Sequence, residues 1–231
     1  MGIIKKLNYF SLVEKLLLFG SVSFIVISFL IFDRENYMNL IASLIGVTSL
    51  VFSAKGNPFG PLLMIIFSLF YGYISFTFSY YGEMITYLGM TLPMSVIAFI
   101  SWFKNPYKEN KSQVEIKELV KKEILTMCVL TLFVTVVFYY ILDYFDTANL
   151  IPSTISVSTS FMAAYLTYLR SEYFALVYAA NDLVLIILWS IASFTDASYI
   201  SVLICFIVFL INDLYSFTNW KKMKRVQKIG N

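Results

Sequence analysis

The sequence predicts an all-α polytopic membrane protein with eight transmembrane helices. Hydrophobic residues make up 59% of its 231 residues and charged residues only 13%, a composition typical of proteins embedded in a bilayer rather than of soluble enzymes. Eight apolar segments of about 17–22 residues, the length that a helix needs to cross the hydrocarbon core, follow one another along the chain. The chain has no histidine, which excludes His-based catalysis and zinc sites, and we expect no catalytic residues, no metal and no cofactor.

Short connections of charged or turn-forming residues separate most of the apolar segments. Residues 3–15 before the first segment form a weakly amphipathic pattern, which predicts an interfacial lead-in on the membrane surface. Residues 104–122 carry too much charge to lie in hydrocarbon and are predicted to form a loop. The eight segments lie at 16–32, 38–54, 61–80, 84–103, 123–142, 149–169, 173–194 and 197–218.

The sequence also carries an internal repeat with an offset of 118 residues. The offset pairs Trp102 with Trp220 and Lys104 with Lys222, in the pattern F-x-x-W-x-K at both places. It maps segments two to four onto segments six to eight and leaves segment five as a connector, which predicts a 3+1+3 parallel repeat with segment one as an extra helix. The predicted divisions are 1–37 for the lead-in and extra helix, 38–103 for the first repeat, 104–148 for the loop and connector, 149–220 for the second repeat and 221–231 for a basic tail.

The basic residues predict the orientation in the membrane. If the N-terminus is cytoplasmic, 16 of the 17 lysines and arginines lie inside and only Arg34 lies outside, while the outer loops collect acidic residues. This bias predicts that both termini are cytoplasmic. It also accounts for the basic tail as a topology anchor that contacts the lipid surface, so no nucleic-acid partner is expected.

Residues 172–189, with the sequence EYFALVYAANDLVLIILW, hold the most informative polar groups. Asn181 and Asp182 lie near the middle of an apolar segment, where a carboxylate is costly unless it faces protein or water. At about 100° per residue, Tyr178, Asp182 and Trp189 fall on one helix face, with Phe174 about 40° from Tyr178. This face suits a small polar ligand with a flat ring; the alternative is an interhelical hydrogen bond that only joins helices.

Other residues have simpler interpretations that we weigh beside a role in binding. Asn57 is most simply a turn residue, Pro93 predicts a kink in the fourth helix, and Arg170 beside Glu172 predicts a local ion pair. Trp102 and Trp220 stand at helix ends, where aromatic residues commonly anchor the membrane interface. The residues predicted to bind the ligand are Phe174, Tyr178, Asn181, Asp182, Trp189, Asn212 and Asn57.

Several short motifs occur in a fixed order along residues 38–222. They are K-G-N-P-F-G at 55–60, Tyr71-Gly72, Trp102, R-x-E-x-F at 170–174, Asn181 ahead of Trp189, and Asn212 before Trp220. In these motifs the sequence resembles the Pnu-type (PnuC) family of vitamin transporters. The resemblance implies a bacterial inner-membrane protein with SWEET-like parallel repeats that forms a homotrimer. It also implies uptake of nicotinamide riboside or a closely related nucleoside or vitamin for NAD biosynthesis by facilitated diffusion, with trapping by cytosolic phosphorylation.

The chain departs from the nicotinamide riboside branch in the seventh segment. That branch typically carries W-x-x-W where this chain has Phe174 and Val177. Thiamine and a deoxynucleoside therefore stay open as substrates, and so does proton-coupled uptake through Asp182. A membrane-embedded enzyme and a non-transporting membrane subunit are the remaining classes; the enzyme lacks a convincing acid–base pair.

Overall fold

The computed structural model describes residues 9–77 and 80–230, which fold as a helical bundle with one short β-hairpin. Within those residues, seven helices are long and apolar enough to cross a membrane. Together with the composition, this makes the protein a multi-pass, all-helical membrane protein, as the sequence predicted. In chain order the seven are α1 (Leu12–Phe32), α2 (Tyr37–Ala54), α3 (Phe59–Thr77), α4 (Tyr81–Lys104), α5 (Lys121–Tyr144), α7 (Tyr173–Ser193) and α8 (Tyr199–Gly230).

One further long helix, α6 (Leu150–Tyr168), packs against both α5 and α7. Seven of its 19 residues are serine or threonine, so it is less apolar than the seven helices above. Several of these hydroxyls donate to backbone carbonyls one turn back, as Thr154 does to Leu150 at 2.8 Å and Ser158 to Thr154 at 2.8 Å. The sixth predicted segment is thus a helix whose polar groups are largely satisfied within the helix itself.

A capping box starts α1. The hydroxyl of Ser11 accepts from the backbone N–H of Glu14 at 3.3 Å, and the Glu14 carboxylate accepts from the backbone N–H of Ser11 at 2.7 Å. Glu14 is buried and also forms an ion pair with Lys55 at 2.8 Å. Residues 12–15 of the predicted lead-in therefore belong to the first helix, while its residues 3–8 lie outside the described part of the chain.

A π-helical turn, Thr86–Thr91, interrupts α4 just before Pro93. Proline has no N–H to donate to the preceding turn, and the wider π-helical turn accommodates the missing hydrogen bond. The sequence predicted a kink at this position. The Thr91 hydroxyl donates to the Thr86 carbonyl at 3.3 Å. The turn directs several side chains into the bundle, and these reappear in the cavity described below.

The predicted charged loop contains a β-hairpin that the sequence did not predict. Its strands are β1 (Pro106–Tyr107) and β2 (Asn110–Val114), paired antiparallel. The backbone N–H of Val114 donates to the carbonyl of Gly56 at 2.8 Å, and the Gln227 side chain near the end of α8 donates to the Val114 carbonyl at 3.0 Å. We call the end of the bundle that carries this hairpin the hairpin end, and the other the opposite end.

Two tryptophans join the two halves of the chain at the hairpin end. The indole N–H of Trp102, in α4, donates to the carbonyl of Thr167 at the end of α6 at 2.7 Å. The indole N–H of Trp220, in α8, donates to the carbonyl of Ser53 at the end of α2 at 2.8 Å. Both side chains are fully buried, so the predicted role as interfacial anchors is wrong: each indole satisfies a helix end that packs against it.

Candidate functional site

A cavity of about 160 Å³ lies inside the bundle, between α3, α4, α6, α7 and α8. It adjoins the buried ends of Asp182 and Asp213 and reaches Glu83, Leu142 and Thr147 at the opposite end. Its position inside the bundle fits a site for a small molecule. The remaining lining residues are Leu50, Met64, Phe67, Tyr71, Thr86, Tyr87, Met90, Thr91, Ser153, Ser156, Val157, Ser160, Ala164, Tyr178, Asn181, Leu185, Leu188, Trp189, Phe206 and Phe209.

Positions of α3 and α7 that the predicted repeat would pair both line the cavity. The offset of 118 residues pairs Met64 with Asp182 and Tyr71 with Trp189, and all four are lining residues. In each pair α3 contributes an apolar or phenolic group and α7 a carboxyl or indole group. Asn181 and Asp182 therefore bring polar groups to the α7 wall that have no polar counterpart in α3, where the offset gives Leu63 and Met64.

Aromatic rings form much of the cavity wall. The rings of Tyr71 and Tyr87 lie 5.0 Å apart between centroids, and Phe67 packs on Tyr71 at 4.7 Å. Trp189 and Tyr178 line the α7 side. Such faces can stack on a flat heteroaromatic ring or attract a cation.

Two carboxyl groups meet at the buried end of this wall. Asp182 of α7 and Asp213 of α8 are 3% and 2% exposed, and their side chains lie against each other at the wall of the cavity. One oxygen of each, Oδ2 of Asp182 and Oδ1 of Asp213, is buried without a hydrogen-bond partner among the described residues. Buried carboxyl oxygens of this kind are ready acceptors for a ligand.

Asn181 forms interhelical hydrogen bonds and also lies on the cavity wall. Its side-chain oxygen accepts hydrogen bonds from the hydroxyls of Ser156 at 3.0 Å and Thr159 at 2.8 Å, both on α6. The same residue lines the cavity. Asn181 therefore holds α6 against α7 and presents its side chain at the edge of the site.

Phe174 lies one turn nearer the hairpin end than Tyr178. It is buried and packs edge-to-face on Trp220 at 4.8 Å and on Trp102 at 6.1 Å. With Tyr178 it lines a smaller cavity of about 30 Å³, which shares wall residues with the larger one. The three rings Trp102, Phe174 and Trp220, which we call the aromatic cluster, therefore lie between the cavities and the hairpin end.

Two residues predicted to bind the ligand, Asn212 and Asn57, are not among the residues that line the cavity. The Asn212 side chain donates to the Ser21 hydroxyl of α1 at 2.9 Å and to the Val208 carbonyl at 2.8 Å. The Asn57 amide donates to the Tyr9 hydroxyl at 2.8 Å, and its oxygen accepts from the backbone N–H of Phe59. Neither residue is among those that line the two cavities, and the contacts described here are structural.

The predicted ion pair between Arg170 and Glu172 is replaced by a longer-range one. Glu172 is buried and pairs with Lys224 of α8 at 2.7 Å. Arg170 adopts a left-handed conformation, with φ of 58°, in the turn between α6 and α7. Partial burial lowers the pKa of its guanidinium, although the carboxylate of Glu115 acts in the other direction.

The structure adds residues that the sequence did not place in the site. Tyr87 and the serines of α6 could not be predicted to line the cavity, because aromatic and hydroxyl residues are scattered through the whole sequence. Tyr71 could have been predicted, because the offset of 118 residues pairs it with Trp189. Asp213 was visible as a second carboxyl in an apolar segment. Its position nearer the helix end hid its contact with Asp182, which depends on how α7 and α8 pack.

Comparison with known proteins identifies the family to which the chain belongs. A family model described as nicotinamide mononucleotide transporter matches residues 36–222. A nicotinamide riboside transporter PnuC from Neisseria mucosa is 27% identical over 198 residues, which cover 84% of this chain and 75% of the relative. The protein of the same name from Haemophilus influenzae is 24% identical over 190 residues, which cover 82% and 81% of the two chains.

A solved structure shares the fold. The crystal structure of the vitamin B3 transporter PnuC superposes with a TM-score of 0.79 at 23% identity, and 94% of each chain is covered. At this level of identity the match supports the fold, and the family model carries the assignment. The chain thus belongs to the nicotinamide mononucleotide transporter family and is a multi-pass membrane transporter rather than an enzyme.

Proposed function

We propose that this protein takes up nicotinamide riboside, or a closely related nucleoside or vitamin, through the cavity at Asp182. The observation that carries the proposal is the combination of aromatic walls and buried carboxyl oxygens in one cavity. Trp189 and Tyr178 stack on the heteroaromatic ring, while Asn181 and Asp182 face the polar groups of the substrate. Two relatives named nicotinamide riboside transporters support this choice of substrate.

The transport path runs between two parallel repeats. In this proposal α2–α4 and α6–α8 are the two halves, α5 connects them, α1 is an extra helix and α6 crosses the membrane as the eighth span. Support comes from the exchanged indole hydrogen bonds of Trp102 and Trp220, and from the equivalent positions of α3 and α7 that line one cavity. A site where two repeats meet is typical of such transporters.

The hairpin end is cytoplasmic in this proposal, and both termini lie there. The distribution of lysine and arginine supports this orientation. Substrate enters at the opposite end near Glu83 and Thr147 and leaves past the aromatic cluster. Uptake is facilitated diffusion, and cytosolic phosphorylation traps the substrate; the protein assembles as a homotrimer, as the family resemblance implies.

Binding and uptake by the purified protein test the proposed substrate. Thermal stabilisation is measured with nicotinamide riboside, thiamine and deoxynucleosides, and uptake of the ligand that binds is then measured in proteoliposomes. We expect Trp189→Ala and Asp182→Asn each to weaken binding by about tenfold or more. The control is Phe194→Ala, which truncates a ring that is 91% exposed and outside the cavity. If Trp189→Ala and Asp182→Asn both kept full binding and uptake, the site would be wrong.

Thiamine is the second candidate substrate. Its thiazolium ring is permanently cationic, and a cation fits a cavity with aromatic walls and carboxyl groups. The absence of W-x-x-W at positions 174–177 also favours a substrate other than nicotinamide riboside. If only thiamine stabilised the protein in the same assay, thiamine would be the substrate, and the assignment of the binding site would stay the same.

An imposed pH gradient distinguishes facilitated diffusion from proton-coupled uptake. Facilitated diffusion predicts that proteoliposomes equilibrate the substrate and that a pH gradient does not drive accumulation. Accumulation above the external concentration, abolished by collapsing the gradient, would instead establish coupling to protons.

A further inference from the structure

A separate cleft opens on the side of the bundle at the hairpin end. It has a volume of about 330 Å³ and lies where α4 ends and the turn between α6 and α7 begins. It shares no lining residue with either of the two cavities inside the bundle. A ligand of this cleft would therefore be bound independently of the transported substrate.

One wall of the cleft faces the lipid. Ile97 and Ile100, on the last turns of α4, line it and are exposed. Exposed isoleucines on a helix that crosses the membrane lie against acyl chains. The wall continues to Asn105, which follows the end of α4, and to Tyr168 at the end of α6, an aromatic residue of the kind found at headgroup depth. The cleft therefore spans the boundary between the hydrocarbon and the headgroups.

The other wall carries only positive charge. Lys117 and Arg170 are the charged residues among the described residues that line the cleft. Lys117 forms an ion pair with Glu123, which is not a lining residue. The backbone N–H of Lys117 donates to the Arg170 carbonyl at 3.1 Å, so the two cationic residues are held side by side. This wall favours an anion.

The guanidinium of Arg170 has no bound partner in the described part of the chain. Its Nε and Nη1 are buried without a hydrogen bond, and it belongs to none of the ion pairs found there. The carboxylates of Glu115 and Glu123 act on its charge without forming an ion pair with it. A partly buried guanidinium in this state is unfavourable, and a phosphate is the anion that its planar set of donors binds well.

We propose that this cleft binds an anionic phospholipid, with the phosphate against Arg170 and Lys117 and an acyl chain along Ile97 and Ile100. A zwitterionic lipid is disfavoured because its ammonium group meets no carboxylate among the described lining residues. A soluble phosphate would use the charged wall but leave the apolar wall uncovered. The bound lipid joins the loop before α5 to the turn that precedes α7, and so stabilises the hairpin end.

Lipid titration of the purified protein tests this site. The protein in an uncharged detergent receives phosphatidylglycerol or phosphatidylcholine with the same acyl chains, and its melting temperature is followed. We expect phosphatidylglycerol to stabilise the protein with half-saturation at a mole fraction about tenfold or more below that of phosphatidylcholine. Inorganic phosphate and glycerol 3-phosphate, at matched ionic strength, supply the phosphate without acyl chains and should stabilise the protein little.

Substitution of the unpaired arginine then locates the effect. Arg170→Gln should raise the half-saturating mole fraction of phosphatidylglycerol about tenfold and leave the response to phosphatidylcholine unchanged. The matched control is Arg225→Gln, which removes one positive charge from an exposed position of α8 outside the cleft and should leave both responses unchanged. Lipid-free melting temperatures show whether each variant is folded. If Arg170→Gln does not fold, Lys117→Gln takes its place, and the comparison of the two lipids on the unmodified protein still decides the lipid class.

The outcomes distinguish a site from general attraction to a basic surface. Equal stabilisation by the two lipids would overturn the proposal, and so would equal losses in Arg170→Gln and Arg225→Gln. Inorganic phosphate that stabilises the protein as strongly as phosphatidylglycerol would overturn the lipid as the ligand. In each case the binding of substrate in the cavity at Asp182 is measured separately, and we expect Arg170→Gln to retain it.

Discussion

Trp102 and Trp220 pack against each other with 5.2 Å between ring centroids, and each donates its indole N–H to the last turn of a helix in the other half of the chain. The residue before each tryptophan also donates to a helix-end carbonyl in the other half of the chain. The Ser101 hydroxyl donates to the Tyr168 carbonyl at 2.8 Å, and the Asn219 amide donates to the Ala54 carbonyl at 2.8 Å. Four side chains thus satisfy four helix-end carbonyls across the junction of the two halves.

Replacing either indole should destabilise the bundle. Trp102→Phe and Trp220→Phe keep an aromatic ring but remove the donor, which leaves a buried carbonyl unsatisfied at a cost of about 1–3 kcal/mol. We expect similar falls in melting temperature for the two variants in detergent, because their environments are equivalent. Phe103→Ala, at a side chain that is 69% exposed, is the control and should have little effect. An unchanged melting temperature in either tryptophan variant would contradict the role assigned to that indole.

Thiol labelling should show which end of the cavity is open. In a background with Cys128 and Cys205 replaced by alanine, Thr147→Cys at the opposite end should react with a membrane-impermeant maleimide added to intact cells. Ser95→Cys, which lines the smaller cavity beside Phe174, should be protected from a reagent on the hairpin side because the aromatic cluster lies between them. Ser112→Cys, on the exposed hairpin, should react only in inverted vesicles. Reaction of Ser95→Cys from the hairpin side would show that the cluster does not close the path.

Asn181→Ala should lower stability and ligand affinity together. The substitution removes the acceptor of two hydroxyls of α6 and costs about 1–3 kcal/mol of stability. Thr159→Val is the matched control, because it removes one of the same hydrogen bonds from a residue that does not line the cavity. We expect Thr159→Val to lower the melting temperature with a smaller effect on affinity. If Asn181→Ala kept the affinity of the unmodified protein, its role would be limited to joining the helices.

A single methyl group at Gly60 should disrupt the contact between α2 and α3. A Cβ there would lie 2.7 Å from the backbone nitrogen of Ser53, 3.0 Å from the carbonyl oxygen of Ser49, and in contact with the Ser53 hydroxyl. It would also disturb the hydrogen bond from the Ser49 hydroxyl to the Gly60 carbonyl, which is 2.8 Å long. We expect Gly60→Ala to cost about 1–3 kcal/mol of stability, measured by thermal unfolding in detergent.

Gly20→Ala provides the comparison for Gly60→Ala. A Cβ at Gly20, in α1, meets nothing within 4 Å, and alanine favours a helix more than glycine does. The Gly20 variant should therefore be neutral or slightly stabilised. Equal melting temperatures for the two variants would show that α2 and α3 are less closely packed at this point than the distances imply.

Local sequence was sufficient to predict the positions of the helices and some of the residues that line the cavity. Apolar runs of membrane-spanning length gave the positions of the helices, and a carboxylate in the middle of one of them identified Asp182 as a residue that needs a partner. The helical period then placed Tyr178 and Trp189 on the same face, and all three line one cavity. These inferences depend only on spacing within one helix.

Contacts between distant segments could not be predicted in the same way. The hairpin is stabilised by Gly56 and Gln227, which lie far from it in sequence, and two short strands leave little pattern of their own. Asp213 meets Asp182 only because of the rotation of α8 against α7. Asn212, its neighbour, donates instead to Ser21 in α1, a helix outside the predicted repeat.

The hairpin end is tied to both halves within a few residues of one segment. The backbone N–H of Val114 binds the turn between α2 and α3 at Gly56, and that of Lys117 binds the turn between α6 and α7 at Arg170, at 3.1 Å. A rocking motion that separates the halves at this end must break at least one of these bonds. A motion that widens the opposite end leaves both intact, so we expect the segment to act as a pivot that makes opening at the hairpin end more costly than opening at the opposite end.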